Sequence, residues 1–428
     1  MCAAHHQKNK YIFSTPLIYA AMIGLGIISG LSDLPFLKET GLLISDLFIK
    51  LFKCISLPII SLSIIVTLAN YQTDSLMKSV WQRTIKYTFA TTLVAALISC
   101  FLYILIHPST VQVNLDAANP KSTSSLGYLG YLSNMIPTNL LSPFLEQQVM
   151  GVLLLSIVIG FAVRQIPETE PRETIIRFFR GAHGMFLVMT KWIIKLIPLG
   201  LFGFITSTVI QLRSGMDIKG IGQYLMIIVL ANLIQGLVIL PLWLKSNGIK
   251  PFSSMRAMLP ALSVAFFSKS SVGTLPVTMN TVEANLKVNP QISRFVLPLC
   301  TSINMNGCAA FIFATVIYLM QSHGIQVSYA TMGIWVLVST IAAIGNAGVP
   351  MGCFFLSVSL LSSMNVPITL MGVILPFYGL IDMLETALNV WSDACVTKVV
   401  NDKAEGGDGV VGIRPKERSL LKLNAELG

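Results

Sequence analysis

Four polar side chains near the C-terminal end of an otherwise apolar chain, Asp382, Glu385, Asn389 and Asp393, follow one another at steps of three, four and four residues. At about 3.6 residues per turn, that spacing puts all four on one face of a helix. The segment continues the apolar run MGVILPF, so hydropathy carries the acids to membrane depth. An aspartate at the centre of a spanning helix costs about 2.5 to 3.5 kcal/mol on insertion scales. Three carboxylates on one face therefore need cations beside them. The chemistry open to such a face is cation binding, either of Na+ through carboxylate and carbonyl oxygens or of an ammonium group on a small molecule. A packed polar seam between helices is the competing reading, and it suits a single Asn or Ser better than three acids.

The elements ahead of this stripe are unusual. Two apolar segments are each interrupted by a small-residue turn, FFSKSSVGTLPVTM at Phe266 to Met279 and IAAIGNAGVPMGCFF at Ile341 to Phe355. Each pairs a Gly with a Pro two or three residues on, which predicts a helix broken inside the membrane. Backbone groups freed there cannot face lipid and must be buried in protein or line an aqueous cavity. Behind the first interruption comes a helix with a polar centre, carrying Asn304, Asn306 and Gly307, and behind the second comes the acidic stripe. A hairpin followed by a polar-centred helix, twice over, is the pattern of transporters built from internal repeats, with a midplane binding site. Lys269 is the only basic residue in either interruption.

Composition agrees with this placement. With 54% hydrophobic and 11% charged residues in 428, and a mean hydropathy of +0.73, the chain is a polytopic membrane protein and not a water-soluble globule. Ordinary spans are expected near 15–31, 42–68, 87–106, 149–163, 185–210 and 224–244, the second long enough to tilt or to bend at Pro58. The first span lacks a small-residue cleavage site near its end and is expected to be retained. The net charge of +10 sits in the N-terminus, alternate loops and the tail, while the opposite loops hold only Lys38, Lys121, Arg213 and Lys219. That asymmetry predicts cytoplasmic termini and argues against a nucleic-acid partner. The seven cysteines include no C-x-x-C pair, which favours small core residues over a disulfide framework or a zinc site. An enzyme is not expected, since neither H-E-x-x-H nor G-x-S-x-G occurs.

SKSSVGTLPVTM, INMNG, NAGVP and DMLETALNVWSD resemble, in order and spacing, the signature segments of the dicarboxylate/amino acid:cation symporter family, the sodium- or proton-coupled glutamate transporter homologues. DLFIKLFKCISLPII, YTFATTLVAA and IPTNLLSPFLEQQV extend the likeness to most of the chain. The resemblance implies an all-α polytopic fold of eight transmembrane helices plus two re-entrant helical hairpins, built as inverted repeats and working as an elevator-type transporter in a homotrimer. It further implies a cytoplasmic N-terminus at 1–14, a scaffold and trimerisation region at 15–85 and 147–220 (helices 1, 2, 4 and 5), a transport region at 86–106 and 221–400 (helices 3, 6, 7 and 8 and both hairpins), and a cytoplasmic tail at 401–428. The expected location is the bacterial plasma (inner) membrane.

Carried over by position, the resemblance gives the substrate α-carboxylate to Ser271, with Ser270 beside it, and to Asn389, helped by backbone amides from Val349 to Gly352. Asp382 would take the α-ammonium, with Thr386 and Glu385 in the same pocket. Asp393, Asn304 and Asn389 match one sodium site; Ser302 and the carbonyls from Ala343 to Asn346 match a second; Thr91, Thr92 and Asn304, with Asn306, match a third. No resident cofactor is implied, only Na+ or H+ as coupling ion, with the lipid bilayer around the protein.

Two departures bear on the cargo. Where members that take glutamate or aspartate carry an Arg three residues after the ammonium-binding Asp, this chain has Glu385, and Tyr378 stands where an acid often orients that Arg. Two like charges about 4 Å apart repel by roughly 4 kcal/mol at an effective dielectric of 20, approaching a thousandfold in affinity. The expectation is a symporter for a neutral or cationic amino acid. The alternatives are an acidic amino acid or C4-dicarboxylate carrier with Glu385 protonated or offset by Lys269, and a channel-like ion pore. The family motif NMDG is NMNG here, so Asn306 lacks a carboxylate and fewer coupled sodium ions, or partial replacement by protons through Glu385, are expected.

Overall fold

A computed structural model describes residues 15–69, 78–110, 137, 139–146, 149–213, 219–346, 348, 350–364 and 366–405. The predicted N-terminal segment 1–14, most of the loop after 110, the tail from 406 and Val349 lie outside the described residues. Every regular element among the described residues is helical. The first is α1 (Thr15–Leu31), followed by α2 (Pro35–Ala69), α3 (Lys78–Ile106), a short α4 (Ser142–Leu145), α5 (Val149–Arg164) and α6 (Thr169–Arg213). All six expected spans fall on helices, several of which run further toward their N-termini. Pro58 lies within the continuous α2.

Among the described residues five helices are long and apolar enough to cross a membrane, or six if the two arms of α6, bent by 52°, form one span. Shorter apolar helices at Ala20–Leu31, Leu57–Ala69, Gly151–Arg164 and Gly352–Ser363 add to these. The chain is therefore a polytopic helical membrane protein. Exposed Leu25, Ile28, Phe101, Leu105, Trp192 and Leu242 are the lipid-facing surface such a protein requires.

The C-terminal half holds the irregular elements. The sixth expected span is α7 (Lys219–Ile234) and α8 (Leu240–Ser246) joined by a π-helical turn at Gln235–Ile239. The first hairpin is α9 (Pro251–Ser268) and α10 (Ser271–Asn285). Its break falls at Lys269 and Ser270, ahead of Gly273, and Pro276 lies inside α10; the Gly–Pro pair does not make the turn. The turn is made instead by Lys269 in the left-handed region (φ 56°) and by the Ser270 hydroxyl, which accepts from Gly273 N at 3.0 Å as an N-cap.

The following helix is itself broken, into α11 (Pro290–Ile303) and α12 (Asn306–Ser322), with Asn304 and Met305 unwound between them. That corrects the expectation of a continuous helix with a polar centre. The second hairpin is α13 (Tyr329–Ala343), a 3₁₀ turn at Ile344–Asn346, and α14 (Gly352–Ser363), with Gly348 and Met351 at positive φ in the tip. The continuous α15 (Thr369–Glu405) carries the acidic face.

Helix α12 is apolar all round and almost wholly buried, packed by α3, α7, α13, α14 and α15. It is the axle of the larger core. A second core joins α9, α10, α11 and the C-terminal part of α15. On the other side α2 packs on α5 and α6, and α1 on α6.

Candidate functional site

The acidic face of α15 is buried: Asp382 is 4% exposed, Glu385 1%, Asn389 3% and Asp393 1%. It touches both hairpin tips. Asp382 Oδ2 accepts from the Met351 amide of the second tip at 3.1 Å, and the tips meet where Gly348 O accepts from Val272 N and from Ser270 Oγ, each at 3.3 Å. Gly307 permits the approach of α12, since a Cβ there would stand 2.8 Å from Glu385 Cα. Its N–H, at the start of α12, donates to Asn389 Oδ1 at 2.9 Å.

These contacts close a cleft lined by Lys269, Ser271, Cys308, Asn346, Gly348, Cys353, Asp382, Glu385, Thr386 and Asn389 so tightly that no water-sized space is left between its walls. Ser271, Asp382, Glu385, Thr386 and Asn389 are thus brought together, while Ser270 caps α10 at the rim and Gly352 opens α14 beside Asn346. Thr386 Oγ1 donates back to the Asp382 carbonyl at 2.7 Å. Glu385 accepts from the Tyr378 hydroxyl at 3.3 Å through Oε2; its Oε1 is buried without a hydrogen-bond partner. Lys269 lines the same pocket near Gly379, yet among the described residues no ion pair within 4.0 Å joins it to Asp382 or Glu385.

One turn deeper lies a polar cluster. Asn304 Nδ2 donates to Asp393 Oδ1 at 2.9 Å and to Ser392 Oγ at 3.0 Å, while its Oδ1 accepts from Thr91 Oγ1 at 2.9 Å and from Asn306 Nδ2 at 2.8 Å. The unwound Asn304–Met305 link brings these side chains inward. Asn389 points the other way, to Gly307 and Met305. Thr92 and Ser302 face a different, largely apolar cavity of about 230 Å³ with Thr340 and Ile344, and Ala343 ends α13 buried beside it. Asn346 turns instead to the cleft beside Asp382 and Glu385.

Two contributors were missed by sequence reasoning. Gln235, at the π turn, donates from Nε2 to Asn306 Oδ1 at 2.7 Å and to the Thr91 carbonyl at 3.0 Å. The same turn leaves the Gly236 carbonyl to accept from Trp391 Nε1 at 3.1 Å. A buried Gln in an apolar span was the only available signal. Cys308 and Cys353 were expected as separate small core residues; the structure joins them as a disulfide across α12 and α14, with Cα atoms 5.3 Å apart. Sequence separation of 45 hid this pairing, because the fold alone brings the two helices together.

Buried acids, two hairpin tips and an unwound helix meet at one place, and a comparison of whole sequences decides what kind of protein this is. A model of the sodium:dicarboxylate symporter family matches residues 15–403. The chain belongs to that family. It is therefore a transporter and not an enzyme. Similar proteins include the neutral amino acid transporter B(0) of Oryctolagus cuniculus, 25% identical over 91% of this chain and 79% of the relative, and the human protein of the same name, 25% identical over 89% and 76%. Also similar is glt-4 of Caenorhabditis elegans, whose name as a sodium-dependent excitatory amino acid transporter is provisional, 24% identical over 98% and 95%.

Proposed function

We propose that this symporter couples inward movement of Na+ or H+ to uptake of a neutral or cationic amino acid. The observation that carries the choice is Glu385: a carboxylate buried beside Asp382, without a basic partner within 4.0 Å among the described residues and with one oxygen unpartnered. An anionic cargo side chain placed there meets repulsion, whereas a neutral one is tolerated and a cationic one is attracted. The names of the mammalian relatives, neutral amino acid transporters, point the same way.

In this reading Asp382 takes the cargo ammonium, displacing the Met351 amide, and Ser271 and Asn389 take its carboxylate, with Ser270, Gly352 and Thr386 around it. Opening of the second hairpin tip admits the cargo. Asp393, Asn304, Asn306 and Thr91 supply oxygens for a coupling ion, with Gln235 holding Asn306 in place. Thr92, Ser302, Ala343 and Asn346 belong to ion sites completed when that hairpin moves. The amide nitrogen of Asn304 on Asp393, and an Asn at 306, favour fewer sodium ions than three carboxylates would hold. The eight-helix, two-hairpin arrangement, the scaffold of α1, α2, α5 and α6 in a homotrimer, the elevator movement, the cytoplasmic termini and the bacterial inner membrane complete the proposal.

Lys269 in the pocket wall favours a second reading, an acidic amino acid carrier. Competition in proteoliposomes under an inward sodium gradient, repeated under a proton gradient, separates the two. The proposal expects gradient-driven accumulation inhibited by neutral or basic amino acids. Potent inhibition by aspartate or glutamate alone would sink it, and flux without accumulation would mark a pore.

A further inference from the structure

The disulfide sulfurs of Cys308 and Cys353 and a carboxylate oxygen of Glu385 lie within 4.8 Å of one another. They come from α12, α14 and α15, and each residue is at most 2% exposed. The uncommitted Glu385 Oε1 is the second, independent feature at this spot: a buried acceptor that nothing in the protein engages. A third is Asn346, whose Nδ2 stands 2.8 Å from Cys308 Sγ while its Oδ1 has no partner. Rotation of that amide would bring its oxygen toward Cys308, and the two orientations differ only in which atom faces the sulfur.

We propose that, with the disulfide reduced, Cys308, Cys353 and Glu385 form a binding site for a thiophilic divalent ion of the Zn2+ class, with the Asn346 oxygen in reach as a fourth ligand. Two thiolates, one carboxylate and a further oxygen are a donor set that suits Zn2+, at about 2.3 Å to sulfur and 2.0 to 2.2 Å to oxygen. A hard ion such as Na+ gains little from sulfur, so the thiols add a selectivity the coupling-ion cluster lacks. A phosphine reductant opens the disulfide, taking the oxygen of water and leaving its two hydrogens on the sulfurs. The ion then binds the two thiolates with release of two protons.

The position gives binding a consequence. Such an ion ties the helix behind the unwound link, the first turn of the second hairpin's return arm, and the acidic face to a single centre. It would hold the second tip on α15 and occupy the carboxylate that faces the cargo side chain. Metal and cargo should exclude one another. The inhibitory arm rests on the transporter reading above; the binding arm does not.

Both arms have a direct test. Reduced, purified protein titrated anaerobically with Co2+ should develop a sulfur-to-cobalt charge-transfer absorption that saturates at about one ion per chain, disappears on adding Zn2+, and is lost in Cys308→Ala and in Cys353→Ala. No such band in the reduced protein, or an undiminished band in both variants, overturns the site. In proteoliposomes kept reduced, Zn2+ should inhibit uptake competitively with cargo, and the half-inhibitory concentration, referred to each variant's own uptake, should rise at least about tenfold in either variant. Equal Zn2+ sensitivity in the wild type and both variants overturns the clamp. An intact cobalt band in protein that shows no gradient-driven uptake counts against the transporter reading alone and supports the metal site.

Discussion

The same unit occurs twice in the C-terminal half, a hairpin followed by the helix that faces its tip, and the two copies differ in what they offer. The first tip is half-buried and closed by a serine cap, and the helix after it is broken, contributing neutral Asn304, Asn306 and the opened start of α12. The second return arm, α14, is buried along most of its length, and the helix after it is unbroken, contributing Asp382, Glu385 and Asp393. One copy supplies amides and a buried, opened helix start; the other supplies charge. A buried carboxylate needs a rigid helix to fix it beside donors, whereas an unwound link lets uncharged side chains reach across to it. The division of labour explains why Asn304, from the first copy, donates to Asp393 in the second, and why Asp382, from the second, holds a hairpin tip amide.

The largest effect should come from removing charge from the second copy. Asp382→Asn takes away the negative charge of the acceptor that serves both the Met351 amide and the proposed cargo ammonium. Hydrogen bonds to charged groups contribute about 1.5 to 3 kcal/mol each, so uptake should fall by more than about a hundredfold while the protein still purifies as a folded species. Near-wild-type uptake in proteoliposomes would break the comparison.

Next comes Glu385→Arg, which replaces repulsion of an acidic side chain by attraction. The ratio of inhibition by aspartate to inhibition by a neutral amino acid should move by at least about a hundredfold toward aspartate, since the like-charge contact removed is worth roughly 4 kcal/mol at an effective dielectric of 20 and desolvation of the new guanidinium offsets part of it. An unchanged ratio would place the cargo side chain elsewhere.

Much of this contrast was legible beforehand. The acids of α15 were found because helical periodicity needs only local spacing, and the second tip because Gly348 and Pro350 lie in it. The first tip was placed at Lys269, where it lies, but its cause was not legible: the sequence signal was Gly273 and Pro276, whereas the left-handed Lys269 and the Ser270 cap make the turn. The unwinding at Asn304–Met305 was not legible as a break, since neither residue forbids a helix; the contacts with Asp393, Ser392 and Thr91 stabilise the open link, and they exist only after folding. Gln235 and the Cys308–Cys353 pair were hidden for the same reason. Their meaning lies across helices far apart in sequence.

A smaller effect is expected when charge is added to the first copy. Asn306→Asp places a carboxylate beside Asn304 and Gln235, and should tighten the apparent sodium affinity of uptake about tenfold, near 1.4 kcal/mol. Sodium titration of initial rates checks this, and weaker sodium dependence would contradict it. Smallest of all, Ser270→Ala removes the cap on α10. It should cost about 1 kcal/mol locally, read as roughly fivefold faster amide hydrogen exchange at Gly273, with uptake reduced less than tenfold.

The central claim is that the buried acids of α15 hold an amino acid whose side chain is not anionic, together with a coupling cation. Thermal unfolding of the purified protein against the twenty amino acids, each with and without Na+ and at neutral and acidic pH, measures that binding without requiring transport. The account predicts that neutral or basic amino acids raise the melting temperature, and do so more when Na+ or protons are supplied. Stabilisation by aspartate or glutamate alone, or by no amino acid under any of these conditions, would contradict it.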